Sequence, residues 1–360
     1  MIKKQAAEGA KTLSEILKEA RKKYGEGTLA FADDFESLNL EVIPTNCYSL
    51  DDVFGVGGLP RGRIIEIFGQ PSGGKTAMCL YLIAQAQKEG KTAAFIDAEY
   101  SYSSDYAQKL GVDTKELVYM RPETGEDVFD VVEDLVKSGE VAIIIVDSTA
   151  ALIPASEAEG EISDSTIALQ ARLLGKGLRR MIPFVSKTNT TVIFISQTRD
   201  RIGGYGPTKE STGGNALKFF ASVRLEVNKL KGIESDGALI GNRLKIKAVK
   251  NKVAPPFREA EIELYFERGI DQILDLIDYA ERYEIIEKAG HTYSFEGEKI
   301  GVGKENACKE VSENQDLQKK IRTKVEAFRS KKDPSENKGE SKEGKRSRAT
   351  DQDQKREDAS

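Results

Sequence analysis

Between about Thr45 and Gly269, short apolar runs alternate with segments whose apolar residues recur every three or four positions. The runs are Arg63–Phe68, Thr92–Asp97, Val141–Asp147 and Thr191–Ser196, all rich in Ile, Val and Phe. Several are apolar without a break, as strands covered on both faces of a parallel sheet are. Between them, Ala77–Glu89, Asp105–Leu110, Gly125–Ser138 and Ile167–Lys187 read as helices. This alternation predicts an α/β doubly wound core with a mostly parallel sheet. Val223–Val227 and Leu244–Val249 are expected to extend that sheet.

The flanks follow other patterns. Thr12–Tyr24 predicts an N-terminal amphipathic helix with Leu13, Ile16, Leu17 and Ala20 on one face. A helix this short needs a partner surface, in its own core or on a neighbouring subunit. After the core, Gln272–Tyr283 and Asn314–Phe328 read as helices and Thr292–Ile300 as a hairpin around Glu296-Gly297. Together they predict a small α+β C-terminal domain. Lys331–Ser360 has no aromatic residue and holds nine basic against eight acidic residues. It is expected to be disordered. The resulting boundaries are residues 1–40, 41–269, 270–330 and 331–360.

Composition removes several functions. The 360 residues carry a formal net charge of −5, so any DNA contact must use locally clustered basic residues. Cys47, Cys79 and Cys308 have neither metal-ligand nor redox spacing, which fits a reducing cytosol. With His291 the only histidine, zinc sites and histidine-based triads are not expected. No apolar run approaches a membrane span and no leader is expected, so the chain reads as cytoplasmic, with no membrane partner.

The strongest motif is Gly69-Gln70-Pro71-Ser72-Gly73-Gly74-Lys75-Thr76, between an apolar strand and a helix. It matches G-x-x-x-x-G-K-[ST] in the context that motif requires. Its glycines let backbone N–H groups turn inward onto phosphate oxygens, and the helix N-terminus adds favourable partial charge. Lys75 is expected to reach the β- and γ-phosphates of ATP, and Thr76 to ligate Mg²⁺. Asp147 ends an apolar strand and suits a water-mediated Mg²⁺ ligand, or else a helix N-cap. Glu99 leaves another strand where it can deprotonate an attacking water, or else stand as a solvated loop charge. Gln197 ends a third strand as a γ-phosphate sensor or an ordinary exposed amide.

Two segments after strand ends read as mobile loops. The first is Glu157–Ser165. Behind it, Arg172, Lys176, Arg179 and Arg180 share one helix face that either tracks phosphates or is simply solvated. The second, Thr198–Thr212, holds Arg199, Arg201, Gly203, Gly204, Gly206 and Lys209. Ile202 is placed to wedge between bases. Gly213-Gly214-Asn215 then opens a helix whose N–H groups suit a second anion, such as a DNA phosphate.

At these residues the chain resembles the bacterial RecA family, over about Thr12–Phe328. The resemblance rests on Gly58–Arg63, the phosphate loop, Phe95–Glu99, Val146-Asp147-Ser148, Glu159–Ile162, Gly213–Phe219 and Val249–Lys252. It implies a RecA-like P-loop ATPase core and a DNA-dependent ATPase. It also implies homo-oligomeric helical filaments on single-stranded DNA that pair with double-stranded DNA in recombination, repair and the response to DNA damage. Promotion of self-cleavage in a repressor is a further implication. On this resemblance Glu99 is the catalytic base and Gln197 the switch between ATP and DNA. Tyr106 stacks on adenine, and Lys250 and Lys252 reach the ATP of the adjacent subunit. Arg172, Gly175, Arg179, Gly213, Gly214 and Asn215 touch DNA backbone, with Ile167 and Ile202 near bases. The N-terminal helix packs on a neighbouring core, and Phe219 sits at the interface.

The sequence also departs from the family. Gln70-Pro71-Ser72-Gly73 stands where Pro-Glu-Ser-Ser is usual, so Pro71 removes one N–H donor. Ser103 replaces an Asp that helps hold adenine. The second loop is one residue short, and the tail is charge-balanced where the family's is often acidic. Two other readings share the phosphate loop: a RecA-fold ATPase of helicase or clock type, and a non-enzymatic scaffold that uses ATP as a switch.

Overall fold

The computed structural model describes residues 11–25, 29, 40–159, 167–200, 209–211 and 215–331. The expectations for the tail, for Ile202, Gly213 and Gly214, and for much of both loops lie outside these residues. Contacts divide the chain into two units, Met1–Glu41 and Val42–Ser360.

In the first unit, α1 spans Leu13–Tyr24. Thr12 caps it: its hydroxyl accepts from the Glu15 N–H, and Glu15 reaches back to the Thr12 N–H. No residue of α1 is buried, and Leu13 and Ile16 are exposed.

In the second unit, β1 (Val42–Ile43), α2 (Tyr48–Phe54) and β2 (Leu59–Pro60) lead into β3 (Ile64–Gly69) and α3 (Lys75–Lys88). Then come β4 (Thr92–Asp97), α4 (Ser104–Lys109), β5 (Leu117–Met120), α5 (Gly125–Ser138) and β6 (Val141–Asp147). A 3-10 turn at Thr149–Ala151, α6 (Ala155–Ala158), α7 (Ile167–Lys187), β7 (Thr191–Asp200), β8 (Lys209–Ser211) and α8 (Ala216–Phe220) follow. The strands β9 (Val223–Ser235), β10 (Ala238–Asn251), β11 (Glu259–Tyr265) and β12 (Gly269–Ile270) complete the large sheet. Its order is β12-β11-β10-β9-β3-β7-β6-β4-β5, with β8 hanging from β7.

The apolar runs are indeed buried on both faces. Ile143 and Ile145 of β6 join α2, α3 and α4 in one core, while Ile144 and Val146 join α5, α7 and α8 in the other. The sheet from β9 to β5 is parallel; β10, β11 and β12 run antiparallel to their neighbours. Strands β9 and β10 are more than twice the expected length: β9 runs on through the mostly polar Asn228–Ser235, and β10 begins at Ala238, ahead of the alternating stretch that marked it. Segment Thr198–Thr212 is not a plain loop at its ends: Thr198 to Asp200 pair with Lys209 to Ser211 as a ribbon.

The C-terminal part holds α9 (Gln272–Arg282), the three strands β13 (Glu287–Ala289), β14 (Thr292–Phe295) and β15 (Glu298–Val302), then α10 (Lys304–Glu313) and α11 (Gln315–Lys331). Its separate core includes Leu276, Tyr279, Phe295, Val311 and Val325. Asp275 accepts from the N–H groups of Tyr48 (2.5 Å) and Ser49 (3.3 Å), tying α9 to the start of α2.

Candidate active site

Strand β3 ends at Gly69, and the chain turns through Gln70–Gly74 into α3. The Gly73 N–H donates to the Gln70 carbonyl at 3.3 Å, closing that turn. Pro71 stands at its second position, where proline's fixed φ is favoured, and Ser72 at its third with φ +56°. Pro71 therefore presets the turn, while Ser72 holds a left-handed backbone at about 1–3 kcal/mol. Gly69 admits no side chain, since a Cβ there would lie 2.1 Å from the Val227 carbonyl oxygen. The buried Lys75 ammonium donates to the carbonyls of Gly69 (3.2 Å) and Gln70 (2.8 Å). Burial pulls its pKa below that of an ordinary lysine, against the opposing pull of Asp147 and Glu99.

The ends of β3, β4 and β6 meet here beside β7, which runs on past Gln197 to Asp200, so the expectation that Gln197 ends its strand does not hold. Gly69 lies opposite Gln197 in the β3–β7 pair, and Asp97 opposite Asp147 in the β4–β6 pair. Asp147 does not cap a helix: its Oδ2 accepts from the Thr76 hydroxyl at 2.6 Å. Burial pushes its pKa up to about 6; the Thr76 bond lowers it, Glu99 raises it and Lys75 lowers it. A hydroxyl beside a carboxylate fits Mg²⁺, which usually binds through one or two protein oxygens plus phosphates and waters. Among the described residues no group of three or more His, Cys, Asp or Glu could hold a metal ion.

Glu99 is exposed, yet two partners fix it. Its Oε1 accepts from the Ser148 hydroxyl and from the Gln197 Nε2 at 2.9 Å. The N–H groups of Ala98 and Glu99 both donate to the Asp147 carbonyl, at 2.7 and 3.2 Å. Asp97 folds the following turn by accepting from the N–H groups of Ser101 and Tyr102 and from the Tyr119 hydroxyl. Ser148 and Asp97 had no role in the sequence reading, although both sit inside its motifs. Ser148 meets Glu99 and Asp97 meets Tyr119 only across neighbouring strands, so sequence spacing carried no signal for those contacts. Gln170 is similar: its amide donates to the Thr149, Ala150 and Leu152 carbonyls and anchors α7 under β6.

A pocket of about 240 Å³ beside Ser72–Ala77 is lined by Tyr106, Asn242, Leu264 and Phe266. Tyr106 thus stands next to the phosphate loop. Ser103 does not line the pocket; its hydroxyl caps α4 by accepting from the Tyr106 N–H.

Lys250 and Lys252 lie at the other end of the sheet. Lys250 pairs with Arg224, and Lys252 bonds Ser222, whereas Gly69 stands level with Val227. At ~3.3 Å per residue the phosphate loop of the same chain is roughly 10–16 Å away along the strands. The Lys250 ammonium donates to the Lys218 (2.6 Å) and Phe219 (3.0 Å) carbonyls at the end of α8. Lys252 is exposed, and Phe219 is 72 % exposed.

Of the basic stripe on α7, Arg180 pairs with Glu133 (2.8 Å) and Asp130 (3.4 Å) of α5. Arg172, Lys176 and Arg179 are exposed and form no ion pair among the described residues. Gly175, between them, has nothing within 4 Å of where a Cβ would stand. Ile167 is placed only as the first residue of α7. Asn215 is exposed and precedes α8, which is five residues long and whose cap makes no side-chain bond. So short a helix has little macrodipole, and the expected anion site at its start loses that support.

The strand, the glycine-rich turn, the helix N-terminus and the buried lysine define an α/β protein of the phosphate-binding-loop class. Family models described as the RecA N-terminal domain and the RecA C-terminal domain match residues 11–271 and 274–329. The chain is 47 % identical over 317 residues to the protein RecA of Thermus aquaticus, covering 88 % of this chain and 93 % of that one. It is 47 % identical over 321 residues to the protein RecA of Sulfurovum sp. (strain NBC37-1), covering 89 % and 92 %. A third relative, the protein RecA of Mycoplasma mycoides, is 47 % identical over 304 residues, 84 % of this chain and 88 % of that one. The chain belongs to the RecA family.

Proposed function

We propose that this protein is a DNA-dependent ATPase that assembles on single-stranded DNA as a homo-oligomeric filament and pairs it with homologous duplex in recombination and repair. The observation that carries the reading is the link between Glu99 and Gln197, whose amide donates to the Glu99 carboxylate at 2.9 Å. A base for the attacking water is thereby joined to the strand β7, which runs on into the ribbon below the second loop.

In this mechanism the phosphate-loop N–H groups and Lys75 bind the β- and γ-phosphates, displacing the Lys75 ammonium from its two carbonyls. Thr76 and Asp147 would hold the Mg²⁺ that accompanies ATP, which would neutralise phosphate charge. Glu99 accepts a proton from the attacking water, held by Ser148 and Gln197. When the terminal phosphate leaves, Gln197 changes partners and shifts β7, so nucleotide state reaches DNA affinity. Lys250 and Lys252 stabilise transition-state charge on the ATP of the next subunit, because their own loop lies at the far sheet edge.

Arg172, Gly175 and Arg179 contact DNA backbone, with Gly213, Gly214 and Asn215 completing the contact and Ile167 and Ile202 near bases. Residues 1–40 serve oligomerisation, 41–269 catalysis and DNA binding, 270–330 form the small C-terminal domain, and 331–360 a charged tail. The family resemblance extends the reading to a cytoplasmic role in the damage response and to repressor self-cleavage. The test is ATP hydrolysis with and without single-stranded DNA across a salt series. Strong stimulation that fades steeply with salt is expected; no stimulation would favour a helicase- or clock-type ATPase.

A further inference from the structure

The two lysines assigned above to the neighbouring ATP leave the sheet at the end of β10. Lys250 is the last residue but one of that strand, and Lys252 lies one residue beyond it. A lysine ammonium rides on a flexible stem, so its charge is only as well placed as the backbone beneath it. A small misplacement of such a group is costly in rate.

Between the lysines stands Asn251, half-buried, with both ends of its amide in use. Its Oδ1 accepts from the N–H groups of Val253 (2.9 Å) and Ala254 (3.0 Å), folding the turn that follows the strand. Its Nδ2 donates to the carbonyl of Phe54, the last residue of α2, at 2.8 Å. The turn needs an acceptor, which an Asp would also supply. The donation to Phe54 is the part that a carboxylate cannot make.

Helix α2 is itself a fixed point. Asp275 holds its first N–H groups, and the Arg258 guanidinium donates to the Asp52 carbonyl at 3.3 Å. The Arg329 guanidinium lies 3.6 Å from the Asp51 carboxylate and 3.8 Å from that of Asp52. The end of α2 also packs directly on the turn: a Cβ at Gly55 would lie 2.6 Å from the Ala254 Cβ.

We propose that Asn251 is a positioning residue, which ties the end of β10 to α2 and so fixes the path by which Lys250 and Lys252 reach the ATP of the next subunit. This rests on the reading of those lysines as acting across the subunit junction. The tie lies within the chain that donates the lysines. A defect at Asn251 is therefore a defect of the donating chain, and that chain's own phosphate loop and Glu99 remain intact.

The experiment is DNA-stimulated ATP hydrolysis by full chains, alone and in equal mixtures. Asn251→Ala is expected to lower turnover at saturating ATP by about 10–100-fold, with ATP binding by the DNA-free chain and DNA-bound assemblies in sedimentation both retained. Asn251→Asp keeps the acceptor for the turn and loses the donation to Phe54. It is expected to show the same loss, and it carries the test if the alanine variant does not fold. The mixtures give a readout that a general folding defect would not move. Activity should return when the Asn251 variant is mixed with Glu99→Gln, whose lysines are intact. It should not exceed the sum of the two when the partner carries Lys250→Ala and Lys252→Ala. Wild-type turnover in either Asn251 variant would overturn the proposal. So would rescue by the lysine-deficient chain, or by neither partner, which would make Asn251 a part of the general fold. Failure of Glu99→Gln and the lysine-deficient chain to restore each other would instead bring down the shared site, a result read in a mixture that contains no Asn251 variant.

Discussion

The two edges of the large sheet differ in how far one chain completes them. At the edge where β3, β4 and β6 end beside Gln197 of β7, each reactive group already has its partners. Lys75 is held by two carbonyls, Thr76 by Asp147, and Glu99 by Ser148 and Gln197. At the opposite edge Lys252 and Phe219 are exposed, and Lys250 caps a helix end. On the face of α7, Arg172, Lys176 and Arg179 lack ion-pair partners among the described residues. The first region is preorganised, so its charges cost nothing further to arrange at the moment of reaction. The second offers charge and apolar surface that only another molecule can use. One region holds its reactive groups through partners in its own chain; on the function proposed above, the other completes a site only with a second molecule.

The sharpest way to break this contrast is Glu99→Gln. Loss of about 10²–10⁴ in turnover is expected, with nucleotide binding and DNA-bound assemblies retained in sedimentation. Unchanged turnover would remove Glu99 from the mechanism. Next in size, Arg172→Ala with Arg179→Ala should lower the slope of log affinity against log salt by about 2. Basal ATP hydrolysis should not change; a DNA titration at several salt concentrations reads both.

Asp147 separates stability from function. Its carboxyl titrates near 6 in the folded chain against an ordinary 3.8. The folded state therefore holds the extra proton between those values, and this group's contribution to stability falls as pH rises from 3.8 to 6. Asp147→Asn should raise unfolding free energy at pH 8 by about 1–3 kcal/mol, while Mg²⁺-dependent nucleotide binding is lost. Denaturant melts at pH 8 and pH 5 check the sign: the gain should shrink at the lower pH. Smallest is Gly175→Ala. With open space around that position, it should stabilise α7 by about 0.5–1 kcal/mol, yet weaken DNA binding by crowding the backbone contact. A neutral effect on DNA would leave Gly175 without a ligand to make room for.

The contrast also explains what could be read from the sequence. The phosphate loop was legible because all its groups are neighbours in the chain, and the buried strands because they are apolar without a break. Asp147, Glu99 and Gln197 were legible as polar residues following such apolar runs, although β7 continues past Gln197 to Asp200. Ser148 and Gln170 were not, because their partners lie far off in the chain, at Glu99 and at Thr149–Leu152; Asp97 likewise needs Tyr119 besides its own turn. The length of β9 and β10 was hidden because the outer half of β9 is mostly polar and that of β10 breaks its apolar start with Gly241, Asn242 and Arg243. The position of Lys250 and Lys252 at the far edge needed the antiparallel turn-back of β10, which the apolar pattern of Leu244–Val249 does not reveal.

The most direct measurement mixes two inactive chains. Glu99→Gln keeps its lysines, and a chain carrying Lys250→Ala and Lys252→Ala keeps its base. If one copy's lysines act on the next copy's ATP, random assembly on single-stranded DNA recreates intact junctions at roughly a quarter of the interfaces. DNA-stimulated ATP hydrolysis should then return in the mixture, well above the sum of the two alone. A mixture no more active than that sum, with both chains present in the same DNA-bound assemblies, would show that neighbouring copies do not share the site.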